Sequence, residues 1–538
     1  MTMSNRINKI GIIISYLYIG IPFIIFLLGW CKWYVSCIGI AAVVYALYKV
    51  CNNDLNISGI IWTKKNVNQV IGVLLILVMW VYLSGIGGYA FQNSDHTVRN
   101  TIFETLVHNP WPVVREYSVD EQVITRGLIY YIGFWLPAAA VGKILGIHIG
   151  YFALYLWALL GVCIIFFWIC QIRNSVEIWP VFVLIFFSGL DILGYYLAHG
   201  SFKDVTSQMH MEWWMDTYQF SSNTTQLFWV FNQAIPAWII TTLLYVQKNN
   251  RQIVFLLALA MLSCTFPFVG MIPFVIYFMI RNTQKNVKIK ERIWDFAKNI
   301  FTVENIVAGG LVGFITFLYL MSNISAGTVN ISSNTNTVVE QEAIVEQETM
   351  VVEEANDQTG ISNEEATSYD VADMDMLNRQ AKIGVSIFRG VLFLLIECGF
   401  YIVMIYYWGN RERRGLLYVI LVSFIACLLI KVGAGADFCM RASIPGLFIL
   451  CIEIIRAIDN CKSNRIYMGL VVLIITIAVG AVTPMHELNR TIQTSLIKLN
   501  NEIPVIDDFI KEEDLLQKGN FSGITKNSIF FKYLASKN

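Results

Sequence analysis

Hydrophobic residues in this chain come in long runs that are apolar on every side, separated by short polar breaks, with neither a helical stripe nor a strand-like alternation through most of their length. Runs near the ~20 residues a helix needs to cross a ~30 Å hydrocarbon layer read as membrane spans. All-round apolarity excludes a β-barrel, whose strands must alternate. Thirteen spans are expected, at 10–30, 34–50, 70–89, 127–145, 150–170, 179–197, 227–245, 253–280, 305–321, 384–408, 416–430, 443–455 and 467–482. The expected fold class is therefore all-α, a polytopic transmembrane helical bundle.

Lysine and arginine accumulate at Arg6 and Lys9, Lys64 and Lys65, 281–298, Arg411, Arg413 and Arg414, and Arg456, Lys462 and Arg465. By the positive-inside rule these breaks are cytoplasmic, the N-terminus is cytoplasmic and the C-terminus extracytoplasmic. Loops 91–126, 322–381 and 433–441 and the tail from Pro484 then face outward. Between 127 and 280 two topologies give the same ends. In one, 253–280 is a single interrupted helix. In the other it is a hairpin turning near Thr265-Phe266-Pro267-Phe268, which places the aromatic 199–226 loop outside; charge counting favours this second topology.

Composition agrees with a membrane protein: of 538 residues, 56% are hydrophobic and 14% charged, against ~25% charged in soluble domains. The formal net charge is zero, so nothing draws the chain to nucleic acid. Most of the eleven cysteines lie inside apolar runs and form no C-x-x-C pair, which removes a zinc site of ordinary spacing. The first apolar run is long for a cleaved leader and lacks a small-residue cleavage site, so it reads as a retained helix. The expected organisation is a helical hairpin (1–68), a membrane core (69–321) with a first outer loop at 90–126, an acidic loop (322–381), further membrane helices (382–483) and an outer tail (484–538). The acidic loop carries about a dozen carboxylates between Glu340 and Asp375 and no basic residue before Arg379; it cannot bury enough to fold alone. In the tail, Ile503, Ile506, Phe509 and Ile510 recur at helical spacing and suggest a short amphipathic helix.

Four clusters could carry chemistry. Asp95, His96 and Arg99 follow Gly85, Gly87 and Gly88 and open a segment whose stripe Val98, Ile102 and Leu106 predicts an interfacial helix. The plain reading of Asp95 is an N-cap. Asp191 sits in the apolar stretch Ser188-Gly189-Leu190-Asp191-Ile192-Leu193-Gly194, where an unpaired carboxylate is costly; a hydrogen bond to a neighbouring helix is the structural alternative. Glu212, Trp213 and Trp214 precede Trp229, Asn232, Gln233 and Trp238; interface anchoring explains some of these tryptophans, while aromatic faces mixed with amides and carboxylates suit a sugar. Lys431, Asp437 and Arg441 flank a glycine-bearing loop, where the cations could hold a phosphate or Asp437 and Arg441 simply pair at i,i+4. A weaker cluster is Pro484-Met485-His486-Glu487.

This arrangement resembles the GT-C class of polytopic glycosyltransferases, which take sugars from polyprenyl-phosphate donors. The likeness lies in many helices, a first long outer loop with an aspartate near its start, an interfacial helix after it, and outer loops carrying aromatic and basic residues. The stretches S-G-L-D-I-L-G, F-W-V-F-N-Q-A-I-P-A-W and D-F-C-M-R-A-S-I-P are similar to those of bacterial membrane proteins placed near this class. Two helices precede the one leading into the loop, and Ser94-Asp95-His96 replaces the usual acidic doublet. The resemblance implies a membrane enzyme with Asp95 as general base and His96 or Asp191 orienting it. Donor and acceptor would be held by Arg99, Glu212, Trp213, Asn232, Gln233, Lys431, Asp437 and Arg441. No cofactor is required, although Asp95, His96 and Asp191 could together hold a divalent metal. The implied partners are a polyprenyl-phosphate-linked sugar, an envelope glycan or protein acceptor, and membrane lipid. The rival expectations are a transporter or flippase of lipid-linked glycan, and a glycan polymerase or ligase.

Overall fold

The computed structural model describes residues 3–52, 60, 63–119, 122–203, 205, 210–215, 217–283, 288–323, 387–430, 432, 436–500, 516 and 521–536. The expectations for most of the acidic loop, for Lys431 and for the 503–510 helix fall outside them. The helices are α1 (Met3–Trp30), α2 (Trp33–Asn52), α3 (Lys64–Leu83), α4 (Ser94–His108), α5 (Leu136–Leu145), α6 (Ile147–Arg173), α7 (Trp179–Phe186), α8 (Asp191–His199), α9 (Asn223–Val246), α10 (Ile253–Ala260), α11 (Thr265–Arg281) and α12 (Ile289–Ile300). They continue with α13 (Glu304–Leu320), α14 (Ile387–Trp408), α15 (Arg414–Leu429), α16 (Asp437–Ala442), α17 (Ile444–Ser463), α18 (Tyr467–Gly480) and α19 (Val482–Asn500).

Among the described residues, eight helices are long and apolar enough to cross a membrane, or nine if the bent pair α12–α13 is one span. These answer nine of the thirteen expected spans. The other four differ. The 127–145 run is no crossing helix, because Gly127 and Leu128 are drawn into a sheet and only ten residues, about 15 Å of helix, remain in α5. The 253–280 run breaks into α10 and α11, and Asn250 Nδ2 donates to Met279 O at 3.0 Å, so both ends of the segment meet. It is a hairpin, turning at 261–264, slightly before the expected Thr265. The 416–430 and 443–455 runs form α15, of 16 residues, and α17, which carries Glu453, Arg456, Asp459 and Lys462.

One amendment to the all-α expectation is a three-stranded antiparallel sheet. Strands β1 (Val114–Val119) and β2 (Gln122–Leu128) pair as a hairpin, and β3 (Ser522–Ile524) adds to β2 through Arg126 opposite Ile524. The C-terminal segment also bridges Cys31 to Ala535, fastening it to the α1–α2 corner.

Polar contacts identify the two ends of the bundle. At one, Gln171 Nε2 donates to Asn8 Oδ1 (2.7 Å), Arg173 forks onto Asp459 (2.7 and 2.8 Å), Arg413 meets Glu453 (3.1 Å) and Arg281 donates to Gln247 O (2.9 Å). This is the basic end. The opposite end holds the loop before α4, the sheet, α16 and the start of α9. Helix α9 is the axis of the molecule, with nearly every residue buried. Most of its polar side chains are therefore satisfied by protein, Gln233 and Thr241 being exceptions among the described residues.

Candidate functional site

At the end opposite the basic one, Gly85 and Gly87 adopt left-handed φ values of 80° and 86°. A Cβ on Gly85 would lie 2.5 Å from Phe91 O, so only glycine lets the chain fold back here. Gln92 Nε2 donates to Gly85 O (2.8 Å), tying the loop, while Gln92 Oε1 accepts from Asn100 Nδ2 (2.9 Å). The N-cap of α4 is Asn93, whose side chain accepts from Asp95 N at 3.1 Å. Asp95 is thus not the cap, and its carboxylate is free for other work. Oδ2 pairs with Arg99 Nη2 at 2.9 Å, with 40% of the Asp95 side chain exposed. Arg99 is buried and also donates to Asp95 O (2.8 Å) and Asn232 Oδ1 (3.3 Å).

His96 has a different role. Helix α9 breaks at Val230 (φ −132°, ψ 34°), and the Phe228 carbonyl accepts from Asn93 Nδ2 and from His96 Nε2, each at 3.0 Å. The ring stacks on Phe231. Burial, with Arg99 nearby, pushes its pKa down to about 4, so it is a neutral anchor between α4 and α9. With Nε2 on Phe228 O and Nδ1 facing Gln92 Nε2 at 3.5 Å, both ring nitrogens point into protein, and the metal set of Asp95, His96 and Asp191 is not assembled. No group of three or more His, Cys, Asp or Glu side chains among the described residues is arranged for a metal.

Arg441 on α16 lies within the electrostatic reach of Asp95. Its side chain is 14% exposed, pairs with Asp437 Oδ2 at 3.1 Å and lies 5.7 Å from the centre of the Phe266 ring. Burial opposes its charge, but Tyr131, Asp437, Tyr130 and Asp95 outweigh that and raise its pKa. Tyr130, whose hydroxyl burial pushes well above the usual range, is acted on by both Arg441 and Arg99; it donates to the Tyr131 hydroxyl. Asp95, Arg99, Tyr130, Tyr131, Asp437 and Arg441 are therefore one electrostatic group.

Beside it lies an aromatic sector. His210 packs against Trp213 and Trp229, with ring centres 4.4 and 4.2 Å apart. Trp229 Nε1 donates to Glu487 Oε2 (3.0 Å), which also accepts from Arg490. Burial and Arg490 push His210 down to about 4, against the opposing pull of Asp95. A cavity of about 460 Å³ opens here, lined by Tyr195, His199, His210, Trp213, Trp214 and Arg389 among others. Trp213 is 48% exposed, its indole N–H held by Gln219 (2.9 Å).

Asp191 and Glu212 belong to a third group. Asp191 Oδ2 accepts from Ser188 Oγ (2.7 Å) and Thr483 Oγ1 (2.8 Å). Glu212 accepts from Ser222 N (2.8 Å) and Gln219 Nε2 (3.0 Å), and burial together with Asp191 pushes its carboxyl up to about 8. Glu397 accepts from Trp214 Nε1 at 2.7 Å. All three are fully buried, so Glu212 faces no ligand directly, and Asp191 does not join Asp95. Gln233 is buried in α9 with neither amide atom hydrogen-bonded among the described residues. Helix α19 links the groups: Thr483 reaches Asp191, Glu487 lies one turn on, and Ser495 Oγ accepts from Phe91 N (2.9 Å).

Sequence reasoning missed Glu397, Tyr130, Tyr131 and Arg490, and gave Glu487 too little weight. Glu397, a carboxylate inside an apolar run, carried the same signal as Asp191. No protein-family model matches the chain, no curated protein matches it and no solved structure matches it.

Proposed function

We propose that this membrane protein is a glycosyltransferase that moves a sugar from a polyprenyl-phosphate donor to an acceptor hydroxyl on an envelope glycan or protein. The reading is supported above all by a half-exposed carboxylate, Asp95, that pairs with the buried Arg99 and acts through its charge on the buried Arg441, from the far part of the chain. The basic end then faces the cytoplasm and the site end faces outward.

Asp95 takes the proton of the acceptor hydroxyl as that oxygen attacks the anomeric carbon. The bond from that carbon to the phosphate oxygen breaks on the opposite side, so configuration inverts. The departing polyprenyl phosphate gains charge, which Arg441 and the Tyr130–Tyr131 hydroxyls offset; where water is excluded such stabilisation is worth several kcal/mol. Trp213 and the cavity beside it offer a stacking face for the sugar of the acceptor. Purified protein in vesicles with a labelled polyprenyl-phosphate sugar is expected to release polyprenyl phosphate and glycosylate acceptors; no release with any donor would remove the proposal.

The second reading, a transporter or flippase of lipid-linked glycan, draws on the buried acids Asp191 and Glu397 and the interrupted central helix α9. It requires lipid-linked glycan to change leaflets in vesicles with no glycosidic product, which the same preparation measures.

A further inference from the structure

At the basic end, far from the groups just described, the first turns of α3, the 174–178 connection, the start of α7 and the end of α17 enclose a cavity of about 810 Å³. Its walls include Lys65, Gln69, Ser175, Glu177, Trp179 and Lys462, so one carboxylate faces it beside two ammoniums. The acids nearby are already engaged: Asp459 holds Arg173 at 2.7 Å, and Glu177 accepts from Arg173 Nη2 at 2.8 Å and from the Trp179 indole. Trp179 is contacted by two cations, the Arg173 guanidinium at 4.5 Å from the ring centre and the Lys462 ammonium at 4.0 Å. Among the described residues neither Lys65 nor Lys462 takes part in an ion pair. The cavity therefore presents two ammoniums, neither of them in an ion pair among the described residues and that of Lys462 resting on Trp179, beside amide and hydroxyl groups, in a volume suited to a small ligand.

We propose that this cavity binds a phosphate-bearing anion, and that the anion is the headgroup of an acidic phospholipid. Ammonium charges and amide N–H groups recognise a phosphodiester, and basic pockets between membrane helices hold such headgroups. What selects a lipid over a soluble phosphate is the surface adjoining the cavity. Val67 and Ile71 on α3 are 48% and 52% exposed and Phe182 on α7 is 45% exposed, which gives acyl chains an apolar path away from the headgroup. The site stands independently of the transfer reaction, since it uses none of its residues.

The test is native mass spectrometry of the full-length protein from neutral detergent, with phosphatidylglycerol and phosphatidylcholine offered at equal concentration. Wild type is expected to retain one phosphatidylglycerol with at least a tenfold preference, and the Lys65→Ala/Lys462→Ala variant to lose that preference tenfold. Both lysines are exposed, and an unchanged melting temperature verifies the fold. Lys290→Ala/Arg292→Ala on the exposed helix α12 is expected to keep the bound lipid. Binding of glycerol 3-phosphate that is lost in the double-lysine variant, without lipid preference, would retain the anion site and overturn the lipid assignment. Equal retention of both lipids by wild type with no phosphate binding, or unchanged retention by the variant, would overturn the proposal entirely.

Discussion

Replacing Asp95 with asparagine separates a structural aspartate from a chemical one, because the two roles differ in size. The Asp95–Arg99 pair is an i,i+4 contact at 2.9 Å with 40% of the aspartate side chain exposed. Solvent screening holds such pairs to about 0.2–1 kcal/mol. Asparagine keeps an oxygen for Arg99, which retains Asn232 Oδ1 and the residue-95 carbonyl as further acceptors, and the cap belongs to Asn93. Asp95→Asn should therefore cost less than about 1 kcal/mol, a shift of a few degrees at most in a protein of this size. Loss of a general base costs roughly 10²–10⁴ in rate, or about 3–5 kcal/mol of barrier. The assay is release of polyprenyl phosphate from a labelled donor by folded protein in vesicles, run beside a thermal melt. A variant that melts with wild type and loses at least a hundredfold in turnover fits the reasoning. One that keeps more than about a tenth of the activity, or that melts as early as a core mutant, refutes it.

Arg441→Gln should lower kcat at least about a hundredfold with a smaller change in donor KM, as read from initial rates against donor concentration, since the charge growing on the departing phosphate would lack its cation. Gly189→Ala should destabilise by about 1–3 kcal/mol in a melt, because a Cβ there would stand 1.7 Å from Glu397 Oε2 with the Glu397 backbone at 3.0 Å behind it. His96 and His210 are both held near pKa 4 by burial, below the ~6.5 of an unfolded histidine. The unfolded chain then takes up protons first, so stability is complete above about pH 6.5 and falls as pH drops toward 4, by up to about 1.4 kcal/mol per pH unit per histidine. Glu212, pushed up to about 8, contributes a slope of opposite sign over the same range, so the histidine contribution is read as the difference between wild type and His96→Gln in chemical denaturation across pH 4–7; identical slopes would place His96 in water.

Apolar runs were legible because hydrocarbon imposes one solution on the backbone, and eight helices long and apolar enough to cross a membrane, among the described residues, fell where all-round hydrophobicity put them. Legibility failed where a run's length and its conformation part company. The 127–145 stretch is apolar enough to span, yet Gly127 and Leu128 pair with β3, whose residues lie almost four hundred positions away. No local pattern carries that information. Arg441 was legible as a cation between two apolar runs, whereas the influence of Asp95 on its charge arises only from tertiary packing. His96 was read as part of the chemistry for its neighbourhood to Asp95. Adjacent residues on a helix point about 100° apart, and here that rotation sends His96 into α9 while Asp95 faces solvent.

The break in α9 explains why the polar groups of this end gather as they do. A helix buried on every side has no water to satisfy a disrupted hydrogen-bond ladder. At Val230 the backbone leaves helical geometry and Phe228 O is taken by Asn93 and His96. That repair fixes the start of α4 against α9, and with it the azimuth of Asp95 and the reach of Arg99 to Asn232. Trp229, the next residue, turns the other way and meets Glu487 on α19. The same helix carries Thr483 to Asp191 and Ser495 to Phe91, so α19 braces the acid group, the aromatic sector and the Asp95 loop together. Stability and site geometry are thus supplied by one set of contacts. Substitutions that restore a regular α9 would be expected to displace Asp95 without touching it.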